Sequence, residues 1–222
     1  MDKVVCLLSG GLDSSTVIYY AKSQNYELYA LTFNYGQRHF KEIEAAKKIA
    51  EAVGAREHKI LKIDLTQIGS SALTDQNMEV PTNRDIEEMS NDIPITYVPM
   101  RNTIFLAFAA AYAEVIGATT IFAGMNIVDY SGYPDCRPEY VKAMERVIHP
   151  GSKAQNITIK TPIIRMNKRE IIQLGNKLGV PYEKTWSCYK GEDKACGKCD
   201  SCILRLNGFE EAGLIDPIEY QD

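Results

Sequence analysis

No run of apolar residues in this chain is long enough to cross a bilayer as a helix, which excludes a membrane-spanning protein of that kind. Neither sign of charge prevails: 25 Lys and Arg against 29 Asp and Glu leave a formal net charge of −4 and a pI of about 5.5. That balance excludes a broad, non-specific grip on nucleic-acid backbone, though not a local basic patch. There is no internal repeat and no low-complexity tract. The apolar stretch at residues 4–8 reads as a strand, not as a signal peptide, so the cytoplasm is the expected compartment. Two familiar nucleotide motifs are also missing. No lysine follows the first glycines, as a Walker A loop requires, and no G-x-G-x-x-G marks a dinucleotide fold. What remains is 222 residues, 45% hydrophobic and 24% charged, enough for one globular domain with a small appendage.

The organising stretch is Ser9-Gly10-Gly11-Leu12-Asp13-Ser14-Ser15, between the apolar run and a segment with helical spacing at Val17, Ile18 and Ala21. A buried strand, a glycine turn and a helix start make a phosphate-binding layout. Glycine lets backbone approach a ligand closely, and the first helical N–H groups have no intrahelical partner. Those donors, with the positive end of the helix dipole, favour a polyanion. The blander reading is a strand-to-helix turn capped by Asp13 or Ser14. Ser-Gly-Gly-x-Asp-Ser resembles the PP-loop of the ATP pyrophosphatases, and that resemblance makes Leu8, Ser9, Gly10, Gly11, Leu12, Asp13, Ser14, Ser15, Thr16, Val17 and Ile18 the candidate ATP site.

Periodicity predicts strands at 4–8, 28–33, 58–63, 119–123 and 157–163, and helices at 13–24, 38–53, 102–116, 139–147 and 167–178. The alternation predicts an α/β fold: a doubly wound, mostly parallel, five-stranded sheet with right-handed crossovers. The polar segment 66–94, with Pro81 and Pro94, interrupts it and reads as a flap near the ligand or a solvated insertion. Ligands of such sheets bind beyond the carboxyl ends of the strands. The segments to inspect are therefore 9–15, 34–39, 99–102, 124–137 and 160–162.

Cys188, Cys196, Cys199 and Cys202 are spaced C-x7-C-x2-C-x2-C, and in a chain with no secretion signal such crowding suggests a metal. Four thiolates suit one structural Zn²⁺ per chain; an iron–sulfur cluster or redox thiols are the alternatives, and the ferredoxin spacing is not met. Such a site would divide the chain into a nucleotide-binding catalytic domain (1–184) and a metal-binding segment packed on it (185–222). Cys6 reads as a buried apolar residue and Cys136 as a packing residue rather than a nucleophile.

Several families share the PP-loop, so the other strand ends decide. Phe33-Asn34-Tyr35-Gly36-Gln37-Arg38-His39, Val98-Pro99-Met100-Arg101-Asn102, Asp129-Tyr130-Ser131-Gly132-Tyr133-Pro134-Asp135-Cys136-Arg137 and the cysteine pattern together resemble the 7-cyano-7-deazaguanine synthase family over essentially the whole chain. Asn34, where Asp would be expected, and Leu12, often Gln in relatives, depart from the pattern without removing a loop donor.

The resemblance implies a place in queuosine biosynthesis, joining 7-carboxy-7-deazaguanine and ammonia to make the 7-cyano product, with ATP and Mg²⁺ as co-substrate. It implies an adenine nucleotide alpha hydrolase-like sheet with a C-terminal four-cysteine zinc knuckle. Ser9, Asp13, Ser14, Arg101 and, more weakly, Lys160 become candidate catalytic residues. Tyr35, Gln37, Arg38, Asp129, Tyr133, Asp135 and Arg137 become candidate contacts to the deazapurine. Carboxylates suit its N–H donors, tyrosines offer stacking faces and arginine suits a carboxylate. His39 is read as a phosphate contact or a helix-face residue. Expected partners are small molecules, with no direct nucleic acid and no membrane. A homodimer has surfaces available at the metal-clamped edge and an apolar C-terminal helix. The competing readings are another adenylating ligase, such as a tRNA-modifying enzyme, and a non-catalytic zinc and nucleotide module.

Overall fold

In the first strand, β1 (Lys3–Leu7), successive residues face opposite ways, and both faces are apolar. Val4 and Cys6 pack into one layer and Val5 into the other, all three fully buried. A strand covered on both faces belongs in the middle of a parallel sheet. The computed structural model, which describes residues 1–38, 40–89, 93–128, 133–191 and 193–221, places it there. Five strands run in the order β3-β2-β1-β4-β5, every neighbouring pair parallel. In chain order the elements are β1, α1 (Leu12–Ser23), β2 (Glu27–Asn34), α2 (Lys41–Val53), β3 (Glu57–Lys62), α3 (Ile86–Met89) and α4 (Arg101–Ile116). Then come β4 (Thr120–Phe122), α5 (Pro138–Gly151), β5 (Thr158–Lys160), α6 (Lys168–Leu178) and α7 (Asp200–Glu211).

Two apolar layers sandwich the sheet. One joins Val5, Tyr29, Leu31 and Phe33 to Leu106, Ala109 and Ala113 of α4 and Val141, Met144 and Ile148 of α5. The other joins Val4, Cys6, Leu28 and Ala30 to Val17 and Ile18 of α1, Ile49 of α2, Ile171 and Ile172 of α6 and Phe209 of α7. Ends are set by local chemistry. Asn167 and Glu170 form a reciprocal capping box at the start of α6, and Gly54, Gly117 and Gly179 close their helices in the left-handed conformation. No helix among the described residues is long and apolar enough to cross a membrane.

Two sequence expectations are corrected. The fifth strand is only Thr158–Lys160, because a turn follows with Thr161 and Ile163 carbonyls accepting from Ile164 and Met166. The segment 66–94 is not a solvated insertion: Ser71 and Ala72 are fully buried, and Val80 and Met89 nearly so. Its Thr82 bridges to Cys199, Asn83 N donates to Lys198 O at 2.8 Å, and Arg84 Nε donates to Asp200 Oδ1 at 3.1 Å.

Helix α6 packs on α1 through Gly175, where the Tyr182 hydroxyl fills the space a side chain would need and bonds Thr16 Oγ1 at 2.8 Å. Gly175→Ala therefore forces Tyr182 out of a closed layer and is expected to destabilise the fold by about 1–3 kcal/mol, read as a lower urea midpoint with unchanged slope.

Candidate active site at the sheet switch point

Strand order reverses between β1 and β4, the neighbouring strands from which the chain departs to opposite edges. That crevice is where a parallel sheet presents a ligand, and it opens into a cavity of about 260 Å³. Its floor is Leu7, Leu8 and Ser9 after β1 and Ala123, Gly124 and Met125 after β4.

The glycine turn is built from backbone contacts. Gly10, at φ +83°, is pressed against the first turns of α2: a methyl group there would meet Glu42 O and come within 2.5 Å of Ala46 N. Gly124 allows the equivalent approach from β4, its open side 3.0 Å from Ser14 N. Gly11 is the N-cap of α1, and no side chain caps that helix. The blander reading, a turn capped by Asp13 or Ser14, is thereby set aside. Ser14 Oγ instead accepts from Ser9 N at 3.1 Å, lies 3.0 Å from Ser9 Oγ and donates to Gly11 O at 3.2 Å. Gly11 N points at Ser9 Oγ over 3.3 Å. The first residues of α1 line the cavity and no side chain caps their N–H groups, which suits an anion site.

Of the predicted nucleotide contacts, Leu8, Ser9, Gly11, Leu12, Asp13 and Ser14 line the cavity. Gly10, Ser15, Thr16, Val17 and Ile18 do not. Gly10 faces α2, Thr16 Oγ1 bonds Leu12 O and Tyr182, and Val17 and Ile18 are core. The Ser15 hydroxyl is fully buried with no partner among the described residues.

Arg101 enters from the first residue of α4 and donates from Nη1 to the Tyr35 hydroxyl at 3.3 Å. Tyr35, Gln37 and Tyr133 also line the cavity. Gln37 Oε1 accepts from Tyr35 N at 2.8 Å and holds that turn, while the Tyr133 hydroxyl bonds Thr96 Oγ1 at 2.9 Å. Four predicted residues lie elsewhere. Arg38 donates to the carbonyls of Ala72, Asp75 and Met78, so it binds segment 66–94 rather than a substrate. Asp135 is buried and accepts from Asn102 N at 3.0 Å, securing the start of α4. Arg137 is the exposed N-cap of α5. Lys160, exposed, donates to the Tyr26 hydroxyl at 2.9 Å at the far side of β4. Asp129 and His39 lie outside the described residues.

Three charged groups at the cavity escaped the sequence reading: Lys168, Glu42 and Arg205, the last almost fully buried and bonded to Asp216. Lys168, at the start of α6, reaches both oxygens of Asp13, at 2.8 and 3.0 Å, and lines the cavity. Gly208 of α7 leaves room for it: a methyl group there would lie 2.8 Å from Lys168 Cβ. Glu42, in the first turn of α2, also lines the cavity, half-buried. Burial pushes its carboxyl up to about 7 despite the opposing Arg101 charge. Lys168 had no local motif to flag it, whereas Glu42 lies three residues beyond the Tyr-Gly-Gln-Arg-His motif. Aromatic faces of Phe105, Trp186 and Tyr189 complete the wall.

The four cysteines converge as well. All are buried, and their sulfurs lie within 4.8 Å of one another, close enough to hold one metal ion. Backbone N–H groups of Lys190, Gly191 and Cys196 point at Cys188 Sγ at 3.3, 3.0 and 3.2 Å. Those of Lys198 and Cys199 point at Cys196 Sγ at 3.4 and 3.3 Å. Donors aimed at sulfur suit thiolates, the form that ligates metal. The cluster connects to the glycine turn, since Trp186 N donates to Gly10 O at 2.9 Å and Trp186 Nε1 to Cys188 O at 3.1 Å.

Comparison with known proteins identifies the family of this chain. Residues 3–213 match the family model described as queuosine biosynthesis protein QueC. The chain is 59% identical over 220 residues to a 7-cyano-7-deazaguanine synthase of Trichodesmium erythraeum, covering 97% of this chain and 99% of that protein. It is 57% identical to the protein of the same name from Thermoplasma acidophilum, covering 99% and 92%. Among solved structures, a 4-thiouridine synthetase in complex with RNA and ATP superimposes with a TM-score of 0.56 at 20% identity, covering 99% of this chain and 47% of that one. A predicted tRNA methyltransferase subunit from Methanocaldococcus jannaschii gives 0.51 at 16% identity, covering 100% and 93%. At those identities the likeness is one of fold.

Cys136 lines the cavity, but burial and the adjacent Asp135 carboxylate push its thiol up to about 12. At neutral pH it is a thiol and a poor nucleophile. Iodoacetamide at pH 7.5 is therefore expected to leave Cys136 and Cys6 unmodified in the native protein and to label both after unfolding. Peptide mass mapping reads the result, and rapid native labelling of Cys136 would contradict it.

Proposed function

The chain belongs to the QueC family of queuosine biosynthesis proteins, and we propose that it is the ligase joining ammonia to 7-carboxy-7-deazaguanine to make 7-cyano-7-deazaguanine at the expense of ATP. The observation that carries this reading is the meeting of an uncapped helix start, the Arg101 cation and a set of aromatic faces in one cavity. A phosphate tail and a flat heterocycle each find complementary chemistry within reach of the other.

A carboxylate resists attack by an amine because it is anionic and its oxygen leaves poorly. Attack of the substrate carboxylate on the α-phosphorus of ATP forms an acyl adenylate and releases pyrophosphate. Ammonia then displaces AMP to give the primary amide. A second adenylation, on the amide oxygen, lets that oxygen depart as AMP and leaves the nitrile. Ser9, Gly11 and Ser14, with the first N–H groups of α1, receive the pyrophosphate. Arg101 stabilises charge at the transferring phosphorus, a task for a preorganised cation. Lys168 releases Asp13 and moves to phosphate, taking the place assigned from sequence to Lys160. Asp13 would hold the Mg²⁺ that accompanies ATP, and that ion would supply neutralisation of phosphate charge. Tyr35, Tyr133 and Trp186 supply stacking faces for the deazapurine, with Gln37 at its edge.

Cys188, Cys196, Cys199 and Cys202 hold one Zn²⁺, whose contribution is architectural: a closed four-thiolate site leaves no position for a substrate. We read residues 185–222 as a segment that this ion fixes against the nucleotide-binding domain of residues 1–184. Zn²⁺ is the choice because four buried sulfurs with backbone donors match its preference. The remaining partners are small molecules in a cytoplasmic setting, with no direct nucleic-acid contact.

Three outcomes test this reading. Purified protein supplied with carboxydeazaguanine, ammonium and ATP is expected to release pyrophosphate and AMP and to yield the nitrile by mass spectrometry. Lys168→Met is expected to cut kcat/KM by roughly 10²–10³, the scale of losing one preorganised charge contact. ADP and phosphate as stoichiometric products would exclude the scheme. Elemental analysis is expected to find one zinc per chain, falling in Cys199→Ser together with the denaturation midpoint. Full activity without bound metal would remove the architectural role.

A further inference from the structure

The proposed reaction has a proton problem. Ammonia arrives at neutral pH mainly as ammonium, which has no lone pair with which to attack. Four protons must leave that one nitrogen before it becomes the nitrile, two in forming the amide and two in forming the triple bond. AMP departs as an anion and takes none of them. A base has to stand beside the reacting carbon in both halves.

Most titratable groups in the cavity are unsuited to the task. Asp13 is bonded through both oxygens to Lys168 and, once released in the reaction proposed above, is taken up by the phosphate-bound cation. Arg205 is paired with Asp216 at 2.7 Å, and Arg101, as a guanidinium, accepts no proton at neutral pH. Cys136 and Tyr133 hold their protons until about 12, and the Tyr35 hydroxyl is raised as well and accepts from Arg101. Glu42 differs. Among the described residues its carboxylate has neither a hydrogen bond nor an ion pair, yet it borders the same cavity as Arg101, Tyr35 and Gln37. Its backbone is anchored at the cavity edge, because its own carbonyl is packed on Gly10. An unpaired carboxylate held half-buried at a fixed point of a polar cavity costs stability, which a role in the reaction would explain.

Resting on the reaction proposed above, we propose that Glu42 is the general base that takes protons from the ammonia nitrogen in both the amide-forming and the nitrile-forming steps. In the first, Glu42 holds ammonium and accepts one proton; the freed lone pair forms the C–N bond as the C–O bond to AMP breaks. A second proton leaves the new C–N nitrogen by the same carboxylate once it has discharged the first to water. In the other half, pyrophosphate has already left and the amide oxygen carries AMP. Glu42 removes N–H protons while the nitrogen electrons close the triple bond and the C–O bond breaks, releasing AMP.

The test separates adenylation from nitrogen chemistry. In Glu42→Gln, pyrophosphate released in the first turnover with carboxydeazaguanine is expected to stay within about threefold of wild type. Amide and nitrile formation from ammonium should fall by roughly 10²–10⁴, the usual range for loss of a general base. Hydroxylamine, largely unprotonated at neutral pH, should bypass the need, with hydroxamate formed at no less than about a tenth of the wild-type rate. Glu42→Asp, which keeps the charge on a shorter arm, should show the same order of losses in milder form and serves if the Gln variant does not fold. Pyrophosphate release falling in parallel with nitrile would make Glu42 a substrate-holding residue and overturn the proposal. So would nitrile formation within fivefold of wild type, or hydroxamate lost as deeply as nitrile. Wild-type protein that releases no pyrophosphate with carboxydeazaguanine would instead sink the reaction itself.

Discussion

Gly10 has no side chain, and the site depends on that. Its α-carbon lies against the backbone of α2, with Glu42 O and Ala46 N where any other residue would place a β-carbon. On the opposite side, Gly124 lets the end of β4 approach Ser14, whose N would lie 3.0 Å from a β-carbon there. The glycine turn is thus clamped between two pieces of main chain, and its backbone donors are set by packing, not by flexible side chains. A preorganised donor array of this kind costs no reorganisation when an anion arrives. The same contact carries the first turn of α2, and with it Glu42, to the rim of the crevice.

The clamp extends to the cysteine cluster. Trp186 N bonds the carbonyl of Gly10, and two residues later Cys188 supplies one of the four sulfurs. Segment 66–94 closes over that cluster from the other side, through Thr82 on Cys199 and Arg84 on Asp200. Beyond it, Arg205, almost fully buried, is bonded by Asp216 and Thr185 and ties α7 to the Trp186 turn. Ordering the cysteines therefore orders a wall of the cavity. The distance between the cysteine cluster and the cavity is a few residues of chain.

The sheet was legible because each central strand obeys a simple rule. Residues 28–33 are apolar on both faces, and the structure extends that strand by one residue at each end, to Glu27–Asn34. The start of α2 was placed three residues early, since nothing in Arg38 shows that its guanidinium would be spent on the carbonyls of Ala72, Asp75 and Met78. Strand-end motifs identified Tyr35, Arg101 and Tyr133, which do face the cavity, but not which neighbours face away. Asp135 illustrates the reason. A carboxylate in a motif-rich loop has the right chemistry for a purine edge, and only the fold reveals that it is turned inward to hold the backbone of Asn102. Burial of a polar side chain is decided by tertiary packing, which a linear pattern does not encode.

The lysine missing after the glycines shows the converse. A Walker A loop carries its phosphate cation locally, so sequence reading finds it at a fixed offset. In the proposed site the corresponding charge would come from Lys168, 155 positions beyond Asp13, which the first turn of α6 carries to that carboxylate. The delivery depends on a capping box that fixes where α6 starts and on Gly208, which leaves the space the lysine stem occupies. Neither feature mentions phosphate, and neither would attract notice in isolation. An anion site needs a charge at a point in space, and a fold can meet that need from any element whose start it controls. The absence of a motif residue therefore excludes a particular loop, not the chemistry the loop performs.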